Sequence, residues 1–274
     1  MPSARVNGTG LFYELHGGGE PLVLVHGSGA DHLYWQPVAS ELSRWFSVLA
    51  YDRRGHSQSE RPGKGLRRDD EDDLAALMEG LGLAPAHVAG NSFGASIALG
   101  LASRRPDLFR SLIVHEPPLI AIAMEDPTVG PMMKEVQGSI DKVVDRLRSG
   151  DIEGGMQHMI ELALGPGAWG LLPNDVRQTF MNNALTWLNE LEDPSFADLD
   201  LKALSEFGRP VLLSEGDQSP PWFSPIVRRL AHVLSVADRH TFQGAGHVPQ
   251  MTHPKEYVRK VLDFVRAAEM QRTR

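Results

Sequence analysis

The 274-residue chain contains no cysteine. It therefore has no disulfide, no thiolate metal site and no thiol nucleophile. It has no run of about 18 apolar residues, which excludes a membrane-spanning helix. Its first residues, MPSARVNGTG, lack a positive segment followed by an apolar core. No secretory signal is expected, and a cytoplasmic location is. The formal charge is −8 and no basic stripe occurs, which argues against nucleic acid as a partner. There is no Gly-rich phosphate loop, no dinucleotide fingerprint and no His-Glu-x-x-His, so neither a cofactor nor a metal is implied. Fixed-period repeats and low-complexity tracts are also missing. The expected partner is a small molecule. A homodimer is left open.

What is present is an alternation. Short, mostly apolar runs at 21–27, 46–55, 87–90, 110–116 and 209–216 read as strands, as do the weakly alternating 10–17 and the segment 239–244. Helix-period segments separate them, at 31–45, 74–83, 92–105, 223–233 and 254–268. Runs that are apolar throughout predict parallel strands buried on both faces, so the fold class is α/β. RRDDEDD (67–73) mixes signs and reads as a solvated helix start. One block, 117–205, carries only helical patterns. It predicts a helical cap inserted between two strands of a core made of 1–116 and 206–274. In such sheets ligands bind beyond the carboxyl ends of the strands, so the cap would roof a pocket.

One junction carries chemistry. In HVAGNSFGAS (87–96) a serine stands between glycines two residues to either side, after a strand pattern and before a helix pattern. Gly90-Asn91-Ser92-Phe93-Gly94 is the form of a nucleophile elbow, with Ser92 lifted above the sheet at a helix N-terminus. The N–H of Phe93 there is one expected oxyanion donor. His26-Gly27-Ser28-Gly29 follows an earlier strand, and the N–H of Ser28, with Gly27, is the expected second. His26 is expected to shape that loop.

With HGSG at 26–29, DRRGHSQS at 52–59, GNSFG at 90–94 and GAGHVP at 244–249 in order, nearly the whole chain resembles the serine α/β-hydrolase family. The resemblance implies a mostly parallel twisted sheet flanked by helices, with the cap as an insert. His56 stands where the family usually has glycine, and packing is its expected role. Family order puts the base after the last strand. Of eleven histidines, His247 and His253 lie there. His247, after Gly244-Ala245-Gly246, is the expected base. His253 precedes Pro254 and is read as a helix lead-in.

The acid departs from the family pattern. Most members carry an Asp two residues past a Gly-Asp pair, whereas here Ser219 follows Gly216-Asp217. Two substitutes exist: Asp217 itself, and Glu116 at the end of the strand after the elbow helix. The pair His115-Glu116, 24 residues after Ser92, resembles fungal lactonases that open the zearalenone macrocycle. Glu116 is the expected acid. Within the block 117–205, Met132, Met133, Met156, Met159, Met181, Trp169 and Trp187 suggest an apolar pocket. Trp187, Asn183 and Trp169 are the expected substrate contacts. The triad implies acyl transfer from an ester or lactone of a small apolar molecule. A carbon–carbon bond hydrolase, a cofactor-free lyase or perhydrolase, and a non-enzymatic receptor use the same frame.

Overall fold

Continuous apolar runs form the middle of an eight-stranded sheet, because every residue along them can be covered on both sides. The structure, a computed structural model, describes residues 2–234 and 237–272. The strands are β1 (Ser3–Val6), β2 (Thr9–Gly17), β3 (Glu20–Val25), β4 (Phe46–Tyr51), β5 (Ala86–Asn91), β6 (Phe109–His115), β7 (Val211–Gly216) and β8 (Ala237–Phe242). Their spatial order is β1-β2-β4-β3-β5-β6-β7-β8. β2 runs antiparallel to β1 and β4, and the remaining pairs are parallel. β1 carries no signal in the sequence: four residues pair with one edge of β2 and gain their order from it. β8 is the opposite edge, and its Asp238 and Arg239 are exposed, as suits an edge that must not recruit another strand.

The period of two divides the core between the faces. Val23, Val25, Leu49, Val88, Leu112, Val114, Val211 and Leu213 enter one cluster. Leu22, Leu24, Val48, Ala50, Ala89, Ile113 and Leu212 enter the other. Helices α1 (Gln36–Leu42), α2 (Arg67–Gly80) and α3 (Phe93–Arg104) belong to the first half of the chain. Between β6 and β7 come α4 (Gly130–Arg148), α5 (Ile152–Leu164), α6 (Ala168–Leu171), α7 (Asn174–Asn182), α8 (Ala184–Leu191) and α9 (Leu201–Ser205). After β7 follow α10 (Phe223–Val233), α11 (Pro249–Thr252) and α12 (Pro254–Arg272).

α7 and α8 are separated at Asn183, which caps both. The insert also has a core of its own, where Met156, Met159, Trp169, Phe180 and Trp187 meet Ala30 of the sheet domain. Its last part packs elsewhere: Phe196, Leu199 and Leu204 join the sheet-side cluster. The charged start of α2 is solvated only in part, at Arg68, Asp69 and Asp72. Arg67, Asp70, Glu71 and Asp73 are buried, because each finds an ion-pair partner: Arg67 with Glu71, Arg104 with Glu71, Arg54 with Asp73, and Arg53 with Asp70. Among the described residues, no helix is long and apolar enough to cross a membrane.

Candidate active site

Ser92 occupies the junction of β5 and α3 with φ 54° and ψ −128°, outside the basins that L-residues favour. The site tolerates this strain because the chain is fixed on both sides. Ser92 N–H donates to His115 O at 3.0 Å, and Ser92 O accepts from Ala95 N–H at 2.9 Å. The glycines answer close approach: a Cβ on Gly94 would overlap the Val25 and His26 carbonyl oxygens, and one on Gly90 would overlap Gly94 O. Phe93 is the first helical residue, so its N–H has no partner within the helix.

Glu116 follows the end of β6, fully buried, with its backbone at φ 43°. His247 Nδ1–H donates to Glu116 Oε2 at 2.7 Å, and Gly216 N–H donates to Oε1 at 2.8 Å. Burial alone would raise the Glu116 carboxyl. The adjacent His115 ring and the His247 bond outweigh it and hold the carboxyl down at about 2. The Ser219 hydroxyl, at the usual acid position of the family, adds to this effect, although no well-formed hydrogen bond joins the two.

With Nδ1 protonated, His247 Nε2 presents a lone pair. That atom is buried and has no partner at hydrogen-bond distance, Ser92 included. Such bonds are often long before substrate binds. The imidazole lies stacked on Phe223, at 4.3 Å between centroids and 16° between planes. Its backbone carbonyl accepts from Asn91 Nδ2 at 2.9 Å, and Asn91 Oδ1 accepts in turn from the Tyr34 hydroxyl. His115 is kept neutral: burial lowers it to about 4. Ser214 Oγ donates to Val114 O, so it accepts from His115 Nδ1–H at 2.9 Å.

Asp217 is elsewhere engaged. It is exposed, and its Oδ1 accepts from Gly244 N–H at 2.7 Å, which ties the start of the loop after β7 to the loop after β8. His253 pairs with the Thr252 hydroxyl at 2.9 Å and precedes α12.

The loop after β3 lies against the serine. A Cβ on Gly27 would sit 3.1 Å from Ser92 Cβ and 3.7 Å from Oγ. His26 Nε2 accepts from Arg53 N–H at 3.0 Å, so its Nδ1 carries the proton and donates to Gly27 O at 2.8 Å. Burial, aided by Arg53, lowers His26 to about 3 and keeps it neutral. Its role is to shape the loop. The Ser28 hydroxyl is near enough to Glu190 of α8 to help lower its carboxyl, although no well-formed hydrogen bond joins the two. His56 is wholly buried, packs edge-on against His26 at 5.0 Å, and is held well below the usual histidine range by burial.

The residues expected to contact substrate are placed less simply. Asn183 Nδ2 donates to Gly29 O at 3.0 Å and Ala30 O at 3.2 Å, while Oδ1 accepts from Ser57 N–H at 2.9 Å and Arg61 Nη2 at 3.1 Å. Its amide is fully used in tying the insert to the loops after β3 and β4, which leaves nothing for a ligand. Trp187 is 4% exposed and lies against Gly29, whose φ of +68° and close neighbour both demand glycine. Trp169 lies in the insert's own core with Met156 and Met159, and Met133 lies in the sheet-side core.

Among the described residues, one cluster has the spacing of a metal site: ligand atoms of His115, Glu116 and His247 lie within 4.8 Å of one another. Glu116 and His247 are already bonded to each other, and His115 Nδ1–H to Ser214 Oγ. Sequence reasoning missed Phe223, Asn91 and Tyr34, which fix the imidazole, and Arg53 with Glu190 behind the Gly27 loop. Arg53 had one visible signal, its place in DRRG directly after an apolar strand. Glu190 had none, since its partner is 137 residues away.

Residues 22–260 match the model of the alpha/beta hydrolase family, and the chain belongs to that family. The uncharacterized hydrolase YraK of Bacillus subtilis (strain 168) is 38% identical over 121 residues, 43% of this chain and 45% of that protein. The match therefore spans less than half of that relative. A thermophilic esterase from Thermogutta terrifontis superposes with a TM-score of 0.77 at 23% identity, over 97% of both chains. The enol-lactonase from Burkholderia xenovorans LB400 gives 0.70 at 23% identity, over 96% of this chain and 99% of that one. At that identity the likeness establishes a shared fold.

Proposed function

We propose that the protein is a serine hydrolase that cleaves a carboxylic ester or lactone of a small, largely apolar molecule. Ser92 Oγ attacks the carbonyl carbon, and His247 Nε2 takes the hydroxyl proton. The carbonyl oxygen becomes an oxyanion, received by the N–H groups of Ser28 and Phe93. As the C–O bond breaks, His247 returns the proton to the departing alkoxide. A water then repeats the sequence on the acyl-enzyme, releasing the acid and Ser92. Glu116 keeps the imidazole in the Nδ1–H tautomer and stabilises the imidazolium.

The observation that carries this reading is the His247 ring, with Nδ1–H on a buried carboxylate at 2.7 Å and Nε2 left without a partner, beside a serine on a strained elbow. Trp222 and Phe223, stacked beside that ring, supply an apolar wall and support an apolar substrate. The insert governs substrate choice in this reading. Treatment with a fluorophosphonate followed by peptide mass spectrometry should find the adduct on Ser92. Ser92→Ala should lower kcat on nitrophenyl esters and lactones by about 10⁶. An adduct on another residue, or an active Ser92→Ala enzyme, contradicts the proposal.

A further inference from the structure

Arg53 has no exposed side-chain surface, yet it lies beside the elbow and not in a remote core. Its Nη2 donates to Gly27 O at 3.3 Å and its Nε donates to His26 O at 3.2 Å. Its guanidinium carbon lies 5.2 Å from the centre of the Phe93 ring. Gly27 O belongs to the peptide unit whose N–H is that of Ser28. A trans peptide directs its C=O and N–H in opposite directions. Two donors, His26 Nδ1–H and Arg53 Nη2–H, therefore hold that unit from behind and turn the Ser28 N–H away from them. A cation on the carbonyl end also polarises the amide and strengthens its N–H as a donor.

The guanidinium is itself located from two elements. Asp70 of α2 meets Nη1 at 3.1 Å, and Glu190 of α8 meets Nη2 at 2.6 Å. Glu190 is 5% exposed and comes from the helical insert. Asn183, which precedes α8, holds the same loop two residues further on through Gly29 O and Ala30 O.

Resting on the hydrolase reading above, we propose that Arg53 is a positioning residue for the oxyanion hole and that Glu190 holds it there. The seating of α8 then sets the competence of the hole, so that the insert acts on the chemical step as well as on substrate choice.

The test uses the full chain with Arg53→Lys and Glu190→Gln, which keep a donor and an acceptor in place, and Arg53→Met, which keeps neither. Complete fluorophosphonate titration counts active sites. Then kcat and KM on one nitrophenyl ester are measured per site, with the inhibition constant of an aryl trifluoromethyl ketone, whose hemiketal oxygen occupies the hole. In both conservative variants kcat per site should fall about 10- to 100-fold, below the ~10²–10³ of a removed donor, with KM little changed and the ketone weakened in parallel. Arg53→Met should fall further where it folds. If both conservative variants keep wild-type kcat and ketone affinity per site while the melting point drops, the network is structural only and the proposal is overturned. If the unaltered protein takes no label at Ser92 and cleaves no ester, the hydrolase reading has failed, and this proposal fails with it.

Discussion

Glu116 and Asp70 are both carboxylates sealed from water, and their chemistry diverges. Each oxygen of Glu116 accepts an N–H, from His247 at 2.7 Å and Gly216 at 2.8 Å, and the carboxyl is held down at about 2. Asp70 has one side-chain donor, Arg53 at 3.1 Å, and shares that guanidinium with Glu190. Burial therefore dominates, and the Asp70 carboxyl is pushed up to about 7. Both are buried; what separates them is the neighbouring charge and bonding, His115 and His247 holding Glu116 charged, whereas like-charged Glu190 and Asp73 offset Arg53 at Asp70. The first arrangement suits a residue that must stabilise an imidazolium. The second suits a brace shared between helices.

Removing the centre of each cluster should break them in different ways. Arg53→Met leaves Asp70 and Glu190 without their cation, and loss of one partner of a buried pair costs about 3–5 kcal/mol. A denaturant midpoint equal to wild type would show that the Arg53 cluster carries no such strain. The neighbouring tether should matter less. Asn183→Ala removes the amide that joins the insert to Gly29, Ala30 and Ser57, and stranded buried partners typically cost about 1–3 kcal/mol. An unchanged midpoint would mean that the insert is seated by its apolar contacts alone.

The smallest effect tests the comparison by sign. Asp70 titrates near 7 in the folded protein against an ordinary 3.8, so the folded chain keeps a proton that the unfolded chain has lost. Its contribution to stability is full below 3.8 and is lost as pH rises through 7. Glu116, at about 2 against 4.5, contributes above 4.5 and loses that contribution as pH falls toward 2. Denaturant midpoints across pH should therefore flatten between about 4 and 7 in Asp70→Asn, and between about 4.5 and 2 in Glu116→Gln. Flattening in the same window for both would contradict the distinction.

The two clusters also differ in what the sequence disclosed. Five of the eight strands, β3 to β7, follow from apolar runs buried on both faces, and the flanking β2 and β8 follow from weaker patterns at the sheet's margins. β1 escapes because its order comes from pairing. The elbow was legible because its glycines answer a local crowding. Glu116 was legible because strand ends are points where a short stretch of chain fixes position. The Arg53 cluster was not, since α2, the loop after β4 and α8 meet only in space. A run such as RRDDEDD looks solvated until its partners from other elements are known. Asn183 was singled out, but its side-chain hydrogen bonds to two distant loops could not be read from its neighbours in sequence.

The account turns on which carboxylate orients His247. Glu116→Gln and Asp217→Asn should be assayed side by side on one ester, with kcat counted per fluorophosphonate-reactive site and folding checked by circular dichroism. Amide substitution of a triad acid is known to cost about 10⁴ in kcat, and we expect a loss of roughly 10²–10⁴ for Glu116→Gln. Asp217→Asn, whose side chain bonds Gly244 and Gln218 and not His247, should lose less than about tenfold. A dead Asp217→Asn beside a nearly normal Glu116→Gln would contradict the assignment of the acid.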